Sequence, residues 1–253
     1  MMSDRLCVII PAFNEAALIG QTIARVRTAL PRASLVVVDG GSTDETVASV
    51  CRAGVTVIDA PRGRGNQCHA GAMRATAEWL LFLHADTLVP LEAESVVHAF
   101  AANPAAQIGT FRVQFADGGK FLNPLAWAAS RCDSVFTRFG DQGILVRRSF
   151  YDALGGFPPW PLFEDVALFQ KARKLSRIYW LPGHVVTSAR RFRTRGIIRQ
   201  RLLNANLMLR YLAGASPFEL AARYYADAKP ESCRCTPRPA AAGRANETAV
   251  ISK

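Results

Sequence analysis

The sequence predicts an α/β fold: a mostly parallel sheet flanked by helices, with a basic amphipathic helical extension near the C-terminus. Apolar, β-branched-rich runs recur early: Leu6-Cys7-Val8-Ile9-Ile10, Leu35-Val36-Val37-Val38 and Trp79-Leu80-Leu81-Phe82-Leu83. Such near-continuous runs suit parallel strands buried on both faces. Segments of helical spacing separate them, so strand and helix alternate through the first ninety residues. Acids follow the runs: Asp39 with Asp44, then Asp86. The carboxyl ends of strands are where open α/β sheets bind ligands. A further acid pair, Glu164 and Asp165, stands in loop context ahead of a helix.

The first strand ends at Pro11. A helix is predicted over 14–30, because Ile19, Ile23, Val26 and Leu30 recur at helical spacing before Pro31. After a strand at 34–38, Ser42-Thr43-Asp44-Glu45 reads as a helix start, with Ser42 or Thr43 as cap and acids in the first turn. A third strand at about 55–59 leads through Pro61-Arg62-Gly63-Arg64-Gly65 into a helix at about 66–77. The fourth strand ends in the His84-Ala85-Asp86 loop. A helix at 91–102, a strand at 107–115, an aromatic-rich helix at 121–139 and a strand at 143–147 follow. A loop at 155–159 precedes a helix opening at Phe163-Glu164-Asp165 and running to about 174. Further on, Ile198, Leu202, Ala205, Leu209 and Leu212 form one helical stripe, with Arg199, Arg201 and Arg210 off it. That stripe reads either as a helix packed on the domain or as one lying on a membrane surface. From Asp227 onward the Pro-, Ala-, Thr- and Arg-rich composition reads as a disordered tail. The domain reading is 1–190 as one α/β unit in two parts, about 1–90 and about 91–190, with 191–226 as the basic helical extension and 227–253 as the tail.

The chain has 253 residues, half of them hydrophobic and 20% charged, which is ordinary globular composition. Met1-Met2-Ser3-Asp4-Arg5 lacks the apolar stretch of a secretion signal, and no run is long enough to span a bilayer. Six irregularly spaced cysteines indicate reduced thiols and a cytoplasmic setting. Cys7 and Cys51 read as small core residues, and Cys233 and Cys235 lack the second ligand pair of a zinc site. The net charge of +11 is localised. Eleven Lys or Arg and no acid fall between Val166 and Phe218, and the rest of the chain balances. The block points to an anionic partner: a diphosphate, an anionic membrane surface or nucleic acid.

Transfer of a sugar from a nucleotide diphosphate requires three things: a grip on base and ribose, neutralisation of the diphosphate, and a base for the incoming hydroxyl. A hard cation on carboxylate oxygen meets the second need. Asp86 is placed for it, and Asp165, on a separate segment, for the third.

Pro11-Ala12-Phe13-Asn14-Glu15, Val38-Asp39-Gly40-Gly41-Ser42-Thr43-Asp44, His84-Ala85-Asp86 and Phe163-Glu164-Asp165 occur in the order and rough spacing of a family 2 glycosyltransferase. The chain resembles that family over roughly 5–190. Arg64-Gly65-Asn66-Gln67, His84-Ala85-Asp86-Thr87 and Ser188-Ala189-Arg190-Arg191-Phe192 resemble a small bacterial subgroup of transferases. The resemblance implies a GT-A fold, Rossmann-like in its sheet, with a nucleotide-sugar donor, a divalent cation (Mn2+ or Mg2+) and inversion. Carried over by position, it implies that Pro11, Ala12 and Glu15 line the nucleotide pocket and that Asp39 bonds the base. Gly40 and Gly41 would admit the nucleotide closely. Arg64 would approach the nucleotide or its phosphates, although a solvated loop arginine reads equally well. Asp86 would meet the metal. His84 replaces the first acid of the family's Asp-x-Asp, so it is read as a second ligand favouring manganese or as a ribose or sugar contact. His184 is read as a late metal ligand or a structural histidine. Asp165 would be the general base. Asp141, Gln142 and Glu164 would contact the acceptor side, and Arg190, Arg191 and Arg193 would contact phosphate.

The run Gly155-Gly156-Phe157-Pro158-Pro159-Trp160 suits an acceptor wall, and the absence of Gln-x-x-Arg-Trp favours single transfer over polymer synthesis. The expected partners are a nucleotide-diphosphate sugar, an acceptor hydroxyl with lipid-linked acceptors admitted, and an anionic membrane at the inner face of the plasma membrane. No nucleic acid is expected. Two other readings compete: a sugar nucleotidyltransferase, which would need a Gly-rich basic run after the first strand, and a non-enzymatic basic nucleic-acid binder.

Overall fold

A computed structural model describes residues 5–116, 119–129, 131, 137–190, 192 and 196–226. The strands are β1 (Leu6–Ala12), β2 (Ser34–Asp39), β3 (Thr56–Asp59), β4 (Trp79–Phe82), β5 (Thr87–Leu88), β6 (Ile108–Phe115), β7 (Ile144–Arg147) and β8 (Ile178–Thr187). They form one sheet in the order β3-β2-β1-β4-β7-β6-β8-β5. β1 is parallel to both β2 and β4, and β2 to β3, whereas β7 runs antiparallel to β4 and β6. The chain builds outward from β1 to β3, then crosses back to lay β4 on the other side of β1. The carboxyl ends of β1 and β4 therefore meet at a topological switch point.

β1 is buried along its whole length, which is why it reads as an unbroken apolar run. Val8 and Ile10 face one core layer with Ile19, Ile23 and Val26 of α1 (Ile19–Ala29). Cys7 and Ile9 face the other with Ala72 of α3 (Arg64–Arg74) and Leu168 and Phe169 of α7 (Glu164–Leu175). α3 lies so close that a Cβ on Gly71 would fall 2.4 Å from Ile9 Cγ2. The remaining helices are α2 (Thr46–Arg52), α4 (Ala93–Ala101), α5 (Gly119–Ala129), α6 (Arg148–Ala153), α8 (Ile197–Leu212) and α9 (Pro217–Ala226). Among the described residues no helix is long and apolar enough to cross a membrane.

Several sequence expectations are corrected. The first helix begins at Ile19, because residues 13–18 form a loop tied to the next strand-end loop. Ser42 and Thr43 do not cap α2; Ser42 bonds Asp39 and Asn14, Thr43 bonds Asn14, and Asp44 Oδ1 accepts the Thr46 N–H at 3.0 Å. Cys7 is buried as expected, but Cys51 is exposed, since α2 turns Thr46 and Val50 inward. α8 does pack on the domain, yet through the face opposite the predicted stripe: Gln200, Leu207 and Met208 are buried, whereas Ile198, Leu202, Leu209 and Leu212 stand out in solvent. The strands β5 and β8 and the helices α6 and α9 lie outside the sequence expectations. The tail at 227–253 lies outside the described residues.

Candidate active site

The β1-end loop and the β2-end loop are laced together. Asn14 holds a left-handed backbone (φ 53°), and its Oδ1 accepts the Thr43 N–H at 2.9 Å. Glu15 N–H donates to Thr46 Oγ1 at 2.8 Å. Asp39 is buried, and its carboxylate accepts the Gly41 and Ser42 N–H groups at 2.9 and 2.8 Å and the Ser42 hydroxyl at 2.5 Å. In this structure Asp39 therefore organises the turn that follows β2. Gly41 takes φ +88°, which an L side chain rarely adopts. At Gly40, a Cβ would meet Gln67 Nε2 at 3.0 Å, so the missing side chain makes room for Gln67.

Gln67 carried no assigned role in the sequence, and it is central here. Its buried amide donates to Ala12 O and Val38 O, both at 2.8 Å, bridging the ends of β1 and β2. The available signal was a lone glutamine in a helix otherwise lined inward by Gly65, Cys68, Gly71 and Ala72.

One cavity gathers Pro11, Arg64, His84, Gly140, Glu164 and Asp165. Glu164 and Asp165 open α7 and are both buried. Phe163 before them takes a left-handed backbone (φ 64°), and its ring stacks on Tyr211 of α8 with centroids 4.8 Å apart. For a bulky residue that conformation is strained, and packing must hold it. Asp165 Oδ2 accepts the Gly140 N–H at 2.6 Å, and Oδ1 accepts the Val166 N–H at 2.8 Å. A Cβ on Gly140 would lie 3.2 Å from both Asp165 Oδ2 and His84 Nε2. The imidazole and the acid thus face the same point.

Arg64 Nε pairs with Glu164 Oε1 at 2.8 Å. Burial pushes the Glu164 carboxyl up to about 7, opposed by the Arg64 charge and reinforced by Asp165. Among the described residues, Glu164 Oε2 is buried without a hydrogen-bond partner. Cys68 lines the same cavity, but burial raises its thiol far above neutrality, so it is no nucleophile. Across the site, Arg190 Nη2 lies 3.2 Å from both carboxylate oxygens of Glu15. Arg191 and Arg193 lie outside the described residues.

Asp86 is half-buried in the turn between β4 and β5, and Thr87 Oγ1 donates to its Oδ1 at 3.3 Å. It does not line the cavity that holds His84. His184 lies elsewhere, exposed beside a second cavity of about 150 Å³ with Arg112 and Trp127. Gln142 is buried, donating to Thr137 O at 2.6 Å, and Asp141 is half-buried beside it.

No three His, Cys, Asp or Glu side chains converge on a cation position among the described residues. One partly exposed carboxylate, Asp86, fits an ion that takes its other ligands from water and substrate phosphates, which is the habit of Mg2+.

The sequence model described as Glycosyl transferase family 2 matches residues 7–154. An uncharacterized glycosyltransferase of Mycobacterium tuberculosis is 34% identical over 88 residues, 34% of this chain and 38% of that protein. Protein RfbJ of Shigella flexneri is 42% identical over 65 residues, 25% of this chain and 50% of that protein. The chain thus spans half or less of the length of these relatives. Among solved structures, the mannosyltransferase PcManGT of Pyrobaculum calidifontis, in complex with GDP-Man and Mn2+, is 23% identical. It superposes with a TM-score of 0.63 over 87% of this chain and 69% of its own. Glucosyl-3-phosphoglycerate synthase of Mycobacterium tuberculosis, with Mn2+, UDP and phosphoglyceric acid, gives 0.55 at 20% identity over 70% and 68%. These likenesses show the fold, which is GT-A.

Proposed function

Because the chain belongs to glycosyl transferase family 2, we propose that it is a nucleotide-sugar glycosyltransferase that transfers a single sugar, with inversion, from a nucleotide-diphosphate sugar to an acceptor hydroxyl. The observation that carries this reading is the convergence of Asp165, at the start of α7, on the switch-point crevice formed by the ends of β1 and β4. Gly140 and Val166 N–H groups aim its carboxylate. Asp165 takes the acceptor hydroxyl's proton as that oxygen attacks the anomeric carbon. The bond from that carbon to the diphosphate oxygen breaks on the opposite face, and the nucleoside diphosphate leaves with the electron pair.

The donor lies along Pro11, Ala12 and Glu15, over the turn that Asp39 and Gly40 shape. Arg64 and Arg190 supply guanidinium donors to its phosphates, each exchanging a carboxylate partner for phosphate oxygen. Asp86 holds the divalent cation, which when bound offsets charge on the leaving diphosphate. His84 sits on the Asp165 side of the crevice and, with Asp141, Gln142 and Glu164, borders the acceptor. The protein works at the inner face of the plasma membrane, on an acceptor presented at an anionic surface.

The test is thermal unfolding of the full chain with UDP, GDP, CDP or dTDP, each with Mn2+, Mg2+ or chelator. A metal-dependent rise with one nucleotide is expected, and it should vanish in Asp86→Ala. No rise with any nucleotide overturns the donor assignment.

A further inference from the structure

We infer that the outer face of α8 is a docking surface for an anionic lipid bilayer. Helix α8 is apolar on two sides. Its inner side, with Leu207 and Met208, joins Leu162, Phe163 and Val166 in one cluster. Its outer side carries Ile198 (76% exposed), Leu202 (67%), Leu209 (60%) and Leu212 (44%). With Ala205 these fall in an arc of about 80° and run about 21 Å along the helix. Phe218, 58% exposed, follows at the start of α9. Isolated exposed leucines need no explanation, but a continuous stripe on one helix does.

Charge identifies the occupant. Arg199 and Arg210 lie exposed along one flank of the stripe, and Arg201 lies along the other. No acid occurs from Val166 to Phe218. An apolar stripe bordered by arginines matches the boundary between acyl chains and anionic headgroups. A second copy of the chain fits poorly, since a two-fold contact would press arginine flank against arginine flank. The chain's own residues 227–253 fit poorly too: they carry five Lys or Arg against three acids, and Val250 and Ile251 are their only large aliphatic residues.

The position gives the surface a use, which rests on the transferase reading above. The cluster beneath α8 includes the residues on either side of Glu164 and Asp165. A bilayer against the outer face would therefore lie about one helix diameter, roughly 10–12 Å, from the wall behind those acids. An acceptor anchored in the bilayer would be held beside the base.

The experiment is co-sedimentation of the full chain with vesicles of phosphatidylcholine alone or mixed with phosphatidylglycerol, at low and high salt. The chain should pellet with the anionic vesicles, and less at high salt. Leu202→Glu with Leu209→Glu should abolish pelleting at either salt. Arg199→Gln with Arg210→Gln should weaken binding by about an order of magnitude or more, with the difference shrinking at high salt. All four positions are exposed and lie outside the proposed donor and acceptor machinery, so the melting temperature and its nucleotide-dependent rise should not change. Failure of the wild type to pellet, or wild-type pelleting by the double leucine variant, overturns the proposal. So does a sedimentation-velocity dimer that Leu202→Glu with Leu209→Glu dissociates, which would assign the stripe to a second copy. Vesicle binding without any nucleotide response would leave this surface standing and remove the transferase reading.

Discussion

Arg64 Nε sits 2.8 Å from Glu164 Oε1, and the carboxyl it touches is buried and raised to about 7 from an ordinary 4.5. Desolvation outweighs the arginine, so the folded protein holds this proton at pH values where the unfolded chain has lost it. Stability from this group is full below about pH 4.5 and is lost as the pH rises to about 7. Glu164→Gln keeps the shape without the titration. Urea unfolding should show the wild type losing stability between pH 5 and pH 8 relative to the variant. Parallel curves would refute the assignment.

Asp165 is oriented by two backbone N–H groups that do not depend on the identity of its own side chain. Asp165→Asn removes the base and turns an acceptor into a donor or a flipped amide beside Gly140. Release of nucleoside diphosphate should fall by about 10²–10⁴-fold. The thermal rise with nucleotide and metal should stay, because the donor-side loops are separate. Equal loss of both would mean that Asp165 is structural.

The parts of this arrangement visible in the sequence are those set by local pattern. β1, β2 and β4 announce themselves because the sheet interior selects continuous apolar runs, and their loops follow directly. β8 escapes notice because Pro182, Gly183 and His184 are exposed in its middle and break the pattern. Contacts between distant segments leave no local trace: Arg64 with Glu164, Glu15 with Arg190, Gly140 with Asp165. The regular stripe of α8 correctly marked a helix. It could not say which side faced inward, since aromatic stacking of Tyr211 on Phe163 and burial of Leu207 and Met208 fix the other face.

Gly140 gives a test of geometry rather than chemistry. Its φ is not in the left-handed region, so alanine suits the backbone, and the added methyl carbon would sit 3.2 Å from His84 Nε2 and Asp165 Oδ2. Both must give by a few tenths of an ångström. Gly140→Ala should fold normally by circular dichroism and lose about tenfold to a hundredfold in kcat through misplacement of the base. Unchanged turnover would show that the His84–Asp165 spacing is not critical.

Gln67 offers the reverse case, a residue remote from the reacting atoms whose removal should act through the donor site. Its amide ties Ala12 O to Val38 O, and Gln67→Ala leaves both carbonyls without that donor. Ala12 O still accepts the Gly40 N–H at 2.9 Å, so the removal costs the net worth of the lost bonds, about 0.5–1.5 kcal/mol each. The ends of β1 and β2 carry the Pro11–Glu15 and Asp39–Asp44 loops, so loosening them should raise the donor KM more than it lowers kcat. Steady-state kinetics with varied donor, paired with urea unfolding, separates the effects. Destabilisation with an unchanged KM would make Gln67 a fold residue alone.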